Sequence, residues 1–420
     1  MSNGRRPKRP MGLCVTRVAY CSPIAHSPIA THVHPVRENG TLSHREHQMT
    51  DRDTFERAKE MAKKDDFPIK GFSHLEWWVG NAYQTAHFLR SALGFGIVGY
   101  RGPETGTRET ASYLLQQENI RFIVTGAMTP DHPVSAHVHE HGPGVHDVAL
   151  QVPDAEAAFE LAIERGADPA AKPYVLETDR GRTVTAAIQA YGDTVHSFVQ
   201  SEGEFPDFEP MEDPVAQPVG LQFIDHVVAN VELGKMDYWV EFYERVFGFT
   251  MLRHFDDDAI STKYTALMSK VMWDGTGIIK LPINEPAEGL KRSQIDEYLQ
   301  FYRSAGVQHV AMHTADLVST VTQASSRGLT TLTVPGTYYE DVWRRMPDIE
   351  IDRGRVEALQ ILLDQDEGGY LLQIFTRMLQ DRPTVFFEFI ERRGATGFGK
   401  GNFKALFEAI EREQELRGNL

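Results

Sequence analysis

The chain has 420 residues, a formal net charge of −16 at pH 7, and 41% hydrophobic residues. This length predicts two domains with substantial cores, and the acidic balance argues against non-specific binding to nucleic acid or anionic membrane. Both cysteines, Cys14 and Cys21, lie near the start of the chain. The remainder therefore cannot hold a disulfide framework or a cysteine metal site.

Residues 1–48 differ in composition from the rest, with seven Lys and Arg against two acidic residues. Their least polar part is interrupted by Arg17 and lacks a clean cleavage site, which argues against a secretory signal. We expect a disordered leader or a spurious extension, with Met49 as the working start. Residues 49–66 predict a short charged helix. No apolar run reaches the roughly 20 residues of a membrane span, and we expect a cytoplasmic protein.

The first domain is predicted over residues 67–201. Its first module is predicted as a strand, a helix and three strands, at 72–79, 82–93, 96–101, 110–116 and 120–125. The same order restarts with a strand at 145–152 and a helix at 155–165, followed by strands up to residue 199. Gly94 and Gly166 follow the two helices, as expected for helix C-termini.

The stretch 202–218 is acidic, has four prolines and predicts a linker. The second domain, 219–420, repeats the plan of the first. Its third module is predicted at 223–229, 236–246, 249–255, 264–269 and 278–282, and a helix follows at 294–304. The fourth is predicted at 307–314, 317–327, 359–364 and 370–376, with a last strand around 385–390.

Internal similarity supports this order of elements. Around the first helix of each domain, residues 78–81 and 93–95 resemble residues 228–230 and 247–249, and residues 145–149 resemble residues 308–311. We therefore predict an α+β fold of four βαβββ modules, forming two open, curved, barrel-like sheets. When the two halves are aligned on these similar residues, Trp77 corresponds to His226, and Asp147 corresponds to His309.

Three polar residues interrupt apolar strands of the second domain. His226, His309 and Glu388 are spaced by 83 and 79 residues (309 − 226 and 388 − 309), about one module each. One strand histidine alone is usually a core or surface residue. Two histidines and a carboxylate on related strands match the three-ligand set of non-haem Fe(II) oxygenases, which leaves one metal face open.

Three further sequence features have structural interpretations. The cluster of His132, His137, His139, His141 and His146 lies among Pro and Gly, and we interpret it as a solvated surface loop. The Gly-rich run 397–402 lacks the spacing and ending of a phosphate loop. Asn402 is predicted to cap the last helix. The buried face of this helix is predicted at Phe403, Leu406, Phe407 and Ile410, which follow the pattern i, i+3, i+4 and i+7.

The chain from about residue 67 onward resembles the 4-hydroxyphenylpyruvate dioxygenase family of the vicinal-oxygen-chelate superfamily. The short crossing between Glu388 and Phe398 is similar to that of bacterial members. The motifs that carry the resemblance are Ile224-Asp225-His226, Ala266 to Ser269, Leu281 to Pro286, Arg292 to Ile295, Gly306 to His309, Leu371 to Phe375, Asp381 to Thr384, Phe386 to Glu388 and Gly397 to Phe403.

The resemblance implies one Fe(2+) per subunit on His226, His309 and Glu388. It implies polar pocket side chains at Ser269, Asn284, Gln294, Gln308 and Gln373. It further implies aromatic walls at Phe375, Phe386, Phe398 and Phe403, with Pro282 and Asn402 nearby. The C-terminal helix is expected to act as a lid, with Arg417 as a candidate gate residue.

The activity so implied converts 4-hydroxyphenylpyruvate and O2 to homogentisate and CO2 in tyrosine and phenylalanine catabolism, by an enzyme that is a homo-oligomer, dimer or tetramer. One alternative is 4-hydroxymandelate synthase, which uses the same substrate. Its members tend to differ at the positions of Asn284 and Phe403. The alternative from another class is a metal-free ligand-binding protein, whose members lack the two histidines, the glutamate and the lid helix.

Overall fold

A computed structural model describes residues 67–203, 205–255, 266–287, 289–366 and 368–419. The predicted leader, 1–48, and the predicted helix within 49–66 lie outside the described residues. The backbone of Phe403 is described, but its side chain is not.

The strands of the N-terminal half are β1 (Gly71–Trp78), β2 (Gly96–Arg101), β3 (Thr110–Gln117), β4 (Ile120–Ala127), β5 (Gly144–Gln151), β6 (Pro169–Thr178), β7 (Gly181–Gln189), β8 (Val195–Gly203) and β9 (Glu209–Pro210). Those of the C-terminal half are β10 (Leu221–Asn230), β11 (Thr250–Phe255), β12 (Ala266–Trp273), β13 (Lys280–Ala287), β14 (Gly306–Thr314), β15 (Leu362–Asp366), β16 (Gly369–Phe375) and β17 (Phe386–Arg393).

The α-helices are α1 (Ala82–Leu93), α2 (Pro133–His141), α3 (Ala155–Glu164), α4 (Met236–Phe247), α5 (Gln294–Tyr302), α6 (Leu317–Ser326), α7 (Gly336–Arg345), α8 (Arg353–Ala358) and α9 (Lys400–Arg417). Within the described part of the chain, none of these helices is long and apolar enough to cross a membrane.

Each half forms one curved sheet from two modules. The N-terminal order is β6-β7-β8-β5-β1-β4-β3-β2-β9, and the C-terminal order is β11-β12-β13-β10-β14-β17-β16-β15. The first strands of the two modules pair antiparallel in both sheets, β1 with β5 and β10 with β14. This arrangement confirms the four βαβββ modules and the α+β class predicted from the sequence.

The two sheets share a continuous apolar core. Phe67 packs on Phe247 with ring centroids 5.0 Å apart, and Trp77 contacts Phe387 edge-on at 5.7 Å. Aromatic contacts of this kind add to the gain from burial. The packing therefore fixes the N-terminal sheet against β17, the strand that carries Glu388.

The strand register corrects the letter alignment of the repeat. His226 pairs with Ala311 across β10 and β14, and His74 pairs with Ala149 across β1 and β5. The residue equivalent to His226 is therefore His74, and not Trp77. The sequence alignment, which relied on similar residues at the strand ends, was therefore displaced by three residues at this strand. Each strand pair contains register irregularities that the sequence does not show.

The other equivalences follow from the same ladders. Val228 lies opposite His309 in the C-terminal sheet, and Glu76 lies opposite Asp147 in the N-terminal sheet. Asp147 is therefore equivalent to His309, as the sequence alignment predicted. Ala311 lies opposite Glu388, and Asp147 lies opposite Val195. Counting two residues along β8 places Ser197 at the position of Glu388.

Several elements differ from the sequence predictions. Residues 133–141 form helix α2 with His137 buried, so the solvated-loop interpretation of the histidine cluster is wrong. Pro133 and Gly142 had suggested a loop, but they stand at the two ends of the helix. The sequence also failed to predict helices α7 and α8, and the short strand β9, which lies within the predicted linker.

Candidate metal centre

His226, His309 and Glu388 lie on three adjacent strands, β10, β14 and β17. One ligand atom from each residue falls within 4.8 Å of the others, and all three residues are buried. Alternate strand residues share a face, so the apolar neighbours of these side chains line the same concave surface. The sequence-predicted trio is thus brought together at the centre of the C-terminal sheet.

The inner nitrogens of both histidines face the same carboxylate oxygen. His226 Nε2 lies 3.3 Å from Glu388 Oε2, and His309 Nε2 lies 3.4 Å from it. The outer nitrogens donate elsewhere: His226 Nδ1 to Asp225 Oδ1 at 2.7 Å, and His309 Nδ1 to Gln308 Oε1 at 2.9 Å. Burial lowers the pKa of His226, but the charge of Glu388 and the hydrogen bond to Asp225 raise it overall. When both imidazoles are neutral, their Nε2 lone pairs point at the carboxylate, an arrangement that a bound cation stabilises.

The electrostatics of the trio are those of a cation site. Burial raises the pKa of Glu388, but the charges and hydrogen bonds of His226 and His309 outweigh it and lower that pKa to about 2. Burial lowers the pKa of His309, which keeps this imidazole neutral. A buried carboxylate needs a compensating cation, so the donor set fits a divalent metal with nitrogen and oxygen ligands.

Asp225 forms a charged network behind His226. It accepts two hydrogen bonds of 2.8 Å from Arg392, and Lys280 lies 3.2 Å from its Oδ2. Burial raises the pKa of Asp225, but Arg392 and Lys280 hold it well below the usual range. Nothing in the sequence indicated this network, because the partners of Asp225 lie far from it in the chain.

A second network joins Glu388 to the last helix. Gln373 Nε2 donates to Glu388 Oε1 at 2.8 Å, and Asn402 Nδ2 donates to Gln373 Oε1 at 2.8 Å. The Tyr338 hydroxyl donates to Asn402 Oδ1 at 2.6 Å. Tyr338 lies on the unpredicted helix α7, so it too was missed. We call the series Tyr338–Asn402–Gln373–Glu388 the amide relay.

Asn402 corrects another expectation. The last helix begins at Lys400 with Gly399 as its N-cap residue, so Asn402 is not the cap. Gly399 has φ +72°, and a Cβ there would lie 2.1 Å from Gln373 Oε1. Glycine therefore allows the backbone to pass close to the amide relay, and Asn402 is free to bind Gln373.

The cavity beside the trio contains most of the predicted pocket residues. The lining includes Ser269, Pro282, Asn284, Gln294, Gln308, Gln373, Phe375, Phe398 and Asn402. It also includes apolar residues that had been given no pocket role: Val228, Leu267, Val271, Leu406 and Phe407. Leu406 and Phe407 belong to the predicted buried face of the last helix, and this apolar periodicity was the sequence feature that could have indicated a role in the pocket.

Three predicted residues stand apart from this lining. Phe386 stacks on His309 with ring centroids 4.8 Å apart and contributes no wall to the cavity. The side chain of Phe403 is outside the described part. Arg417 lies at the far end of α9, where it forms two hydrogen bonds with Glu297 of α5.

Helix α9 covers the cavity. Its Leu406 and Phe407 form part of the lining. At the other end, Gln414 donates to the carbonyl oxygen of Ser293, the N-cap residue of α5, and Arg417 binds Glu297 within α5. The enclosed space is about 50 Å³. Because one ordered water needs roughly 10–15 Å³ of a cavity volume of this kind, the space holds only a few waters while α9 lies over it.

Comparisons with known proteins agree with this architecture. Residues 64–208 match the family model described as Hydroxyphenylpyruvate dioxygenase, HPPD, N-terminal. Residues 223–374 match the Glyoxalase/Bleomycin resistance protein/Dioxygenase superfamily. The two matches divide the chain between its two sheets.

Among individual proteins, the chain is 43% identical over 379 residues to the 4-hydroxyphenylpyruvate dioxygenase of Aspergillus fumigatus, covering 84% of this chain and 94% of that one. The namesake from Dictyostelium discoideum is 43% identical, with 84% and 100% covered. A solved structure of a 4-hydroxymandelate synthase mutant from Streptomyces coelicolor superposes with a TM-score of 0.76 at 32% identity, covering 83% and 99%.

Proposed function

The chain belongs to the 4-hydroxyphenylpyruvate dioxygenase family, and on that premise we propose that its C-terminal half is an Fe(II) centre acting on 4-hydroxyphenylpyruvate. The products are homogentisate and CO2, and both atoms of one O2 are incorporated into the products. The observation that carries the assignment is the convergence of His226, His309 and Glu388 at the wall of an enclosed cavity.

His226, His309 and Glu388 would hold the metal, one Fe²⁺ per subunit. Two neutral imidazoles and a carboxylate without thiolate suit iron among the common metals. When bound, the ion supplies Lewis acidity, a template for the 2-oxoacid, and activation of dioxygen. Asp225 and Gln308 fix the orientation of the two imidazoles through their Nδ1 atoms.

The cavity lining supplies orientation for the substrate. Neutral polar groups, among them Ser269, Asn284 and Gln294, would hydrogen-bond the phenol and the oxoacid without competing with the metal for charge. Phe375 and Phe398 offer flat apolar faces for the ring. A neutral, aromatic-walled site of this kind suits a phenolic 2-oxoacid.

The lid has a defined part in this proposal. The substrate has 13 non-hydrogen atoms and the space under Leu406 and Phe407 is only about 50 Å³, which supports a movement of helix α9 on binding. Return of Leu406 and Phe407 would then exclude water from the reacting atoms. The amide relay gives that movement a direct connection to Glu388.

The test is a product assay on protein purified without oxygen and loaded with Fe²⁺. Chromatography should show homogentisate, with one O2 consumed and one CO2 released per turnover. The Glu388→Gln variant should show neither product nor O2 uptake. Metal analysis of the active preparation should give one iron per subunit, and full activity without metal would refute the proposal.

The same assay decides between the alternatives. The synthase would give 4-hydroxymandelate, and Asn284 in the lining favours the dioxygenase, since synthases tend to differ at that position. A metal-free binding protein would consume no O2. We further propose a cytoplasmic homo-oligomer, a dimer or tetramer, which light scattering of the purified protein tests.

A further inference from the structure

A second cluster of metal-ligating side chains lies in the N-terminal half. One atom each from His137, His146 and Asp193 falls within 4.8 Å of the others. The cluster borders a cleft of about 770 Å³, which shares no lining residue with the cavity of the C-terminal half. It uses none of the positions equivalent to His226, His309 and Glu388.

Three elements bring the cluster together. His137 is in α2, His146 is in β5, and Asp193 lies between β7 and β8. Trp78 of β1 orders both imidazoles, because it stacks on His146 with centroids 3.4 Å apart and meets His137 edge-on at 5.4 Å. The rings are thus held by packing, as a preorganised metal site requires.

The cluster leaves buried polar atoms without partners. His137 Nε2, His146 Nδ1 and Asp193 Oδ1 are inaccessible and have no hydrogen bond within the described residues. Only 1% of the His137 side chain is exposed. Such atoms are rare in folded proteins, and several in one place indicate a missing ligand or ion.

The neighbouring histidine points to a cation. His141 Nδ1 must donate to the Tyr302 carbonyl oxygen, 2.5 Å away, because a carbonyl only accepts. Its Nε2 then lies 3.5 Å from Asp193 Oδ2, and His137 Nδ1 lies 2.5 Å from the same oxygen. Two imidazole nitrogens and one carboxylate oxygen thus converge beside the cluster, and these are donor types that bind divalent transition metals.

We propose that His137, His146 and Asp193 form a second, structural metal site for a divalent transition metal of the Zn²⁺ type, with His141 as an adjacent ligand or support. Imidazole and carboxylate ligands suit this ion, and structural zinc is four-coordinate. His141 also stacks on Tyr302 of α5, with centroids 4.7 Å apart. The ion would therefore tie α2 to the helix on which the lid rests.

The experiment measures Zn²⁺ bound to the full chain in a His309→Ala/Glu388→Gln background, so that the C-terminal centre does not contribute. Dialysis against Zn²⁺ followed by metal analysis should show one tightly bound ion more than in the same background with His146→Asn or Asp193→Asn. We expect each of these changes to weaken Zn²⁺ binding by roughly 100-fold or more. Co²⁺ in place of Zn²⁺ should give the visible absorption of a tetrahedral site.

His139→Ala is the matched control, because His139 lies on the same helix and is exposed. It should retain the ion, and Zn²⁺ should raise the melting temperature of this control but not of His146→Asn. Equal zinc content in the control and both site variants would overturn the proposal and indicate adventitious surface binding. Equal loss in His139→Ala would also overturn it, since an exposed helix face would then be the chelator.

Discussion

Arg392 binds Asp225 through two parallel hydrogen bonds of 2.8 Å, Nε to Oδ2 and Nη2 to Oδ1. The same guanidinium donates to the carbonyl oxygen of Gly397, 2.5 Å away, in the segment that leads to the lid helix. Asp225 in turn accepts from His226. One arginine therefore connects the support of a metal ligand to the entry of the lid.

This connection predicts the effect of Asp225→Asn. The amide would no longer balance Arg392 and Lys280, and His226 would lose its charged acceptor. We expect iron affinity to fall roughly 10- to 100-fold, as for other supports of metal-binding histidines, measured by competition with an iron chelator.

Asp213→Asn is the matched control for that change. Asp213 accepts an equivalent pair of hydrogen bonds from Arg90, from Nε at 2.6 Å and from Nη2 at 2.8 Å. Iron affinity should stay unchanged in this variant even if stability falls. A similar loss in both variants would attribute the effect to general destabilisation.

His309→Ala should abolish turnover while the fold is kept, because a three-ligand centre loses an imidazole that packing cannot replace. Activity should fall by several orders of magnitude, with iron content reduced and far-ultraviolet circular dichroism unchanged. His313→Gln changes a buried histidine on the same strand, outside the cavity lining. It should retain iron, and O2 uptake persisting in His309→Ala would refute the ligand assignment.

The amide relay predicts that Asn402→Ala reduces activity without removing the metal. Gln373 would lose the donor that fixes its amide, and its bond to Glu388 would lose orientation. Misplacement at a metal ligand should lower kcat/KM roughly 10- to 100-fold. Tyr338→Phe, which removes only the outermost hydroxyl, should cost less. Equal effects of the two changes would contradict a relay that acts in series.

The lid contact between Arg417 and Glu297 predicts faster opening in Arg417→Ala. Glu297 is only 3% exposed, so removing its charged partner leaves a buried carboxylate with Asn419 as its remaining C-terminal donor and weakens docking. Amide hydrogen exchange over 400–419 should accelerate, and the association rate of the substrate should rise several-fold, because α9 is open for a larger fraction of the time. Arg412→Ala, which removes a hydrogen bond of 3.3 Å to the Thr333 carbonyl oxygen, should change both the exchange rate and the association rate less.

Truncation after Gly394 removes the lid helix and should abolish activity.

His196 predicts part of the acid sensitivity of the fold. It donates through Nδ1 to the Val148 carbonyl oxygen at 3.0 Å, and its Nε2 lies 2.7 Å from the Tyr243 hydroxyl. Burial lowers its pKa from 6.5 to about 4. The unfolded chain therefore binds the extra proton first, and stability is lost as pH falls from 6.5 toward 4.

Between pH 7 and pH 5 this linkage should cost the native protein about 2 kcal/mol of unfolding free energy. Urea denaturation at both pH values measures the loss. His196→Gln lacks the titrating group and should lose correspondingly less over the same interval, even if it is less stable at pH 7. An equal loss in both proteins would show that the pKa of His196 is not lowered in the folded protein.

The sequence predicted what depends on periodicity and duplication. Helix α1 ends at Leu93 and α4 begins at Met236, as the apolar pattern and the following glycines indicated. The positions of His226, His309 and Glu388 followed from three strands with the same apolar pattern. Each of these features is encoded within a few consecutive residues, or in their repetition.

What the sequence did not predict depends on register and distant pairing. Arg392 and Asp225 are separated by 167 residues, and nothing local marks them as partners. His74 was missed as the counterpart of His226, because irregularities within the strand pairs shift the register. Helix α2 was missed because histidines and a flanking proline resemble a loop until Trp78 packs against them.

The small closed cavity has a kinetic consequence. If the resting protein is mostly closed, a ligand can associate only during the fraction of time in which α9 has opened. The apparent affinity is then the intrinsic affinity reduced by that open fraction. A substitution at Arg417, remote from the metal ligands, would thus alter the association rates of all ligands by a common factor.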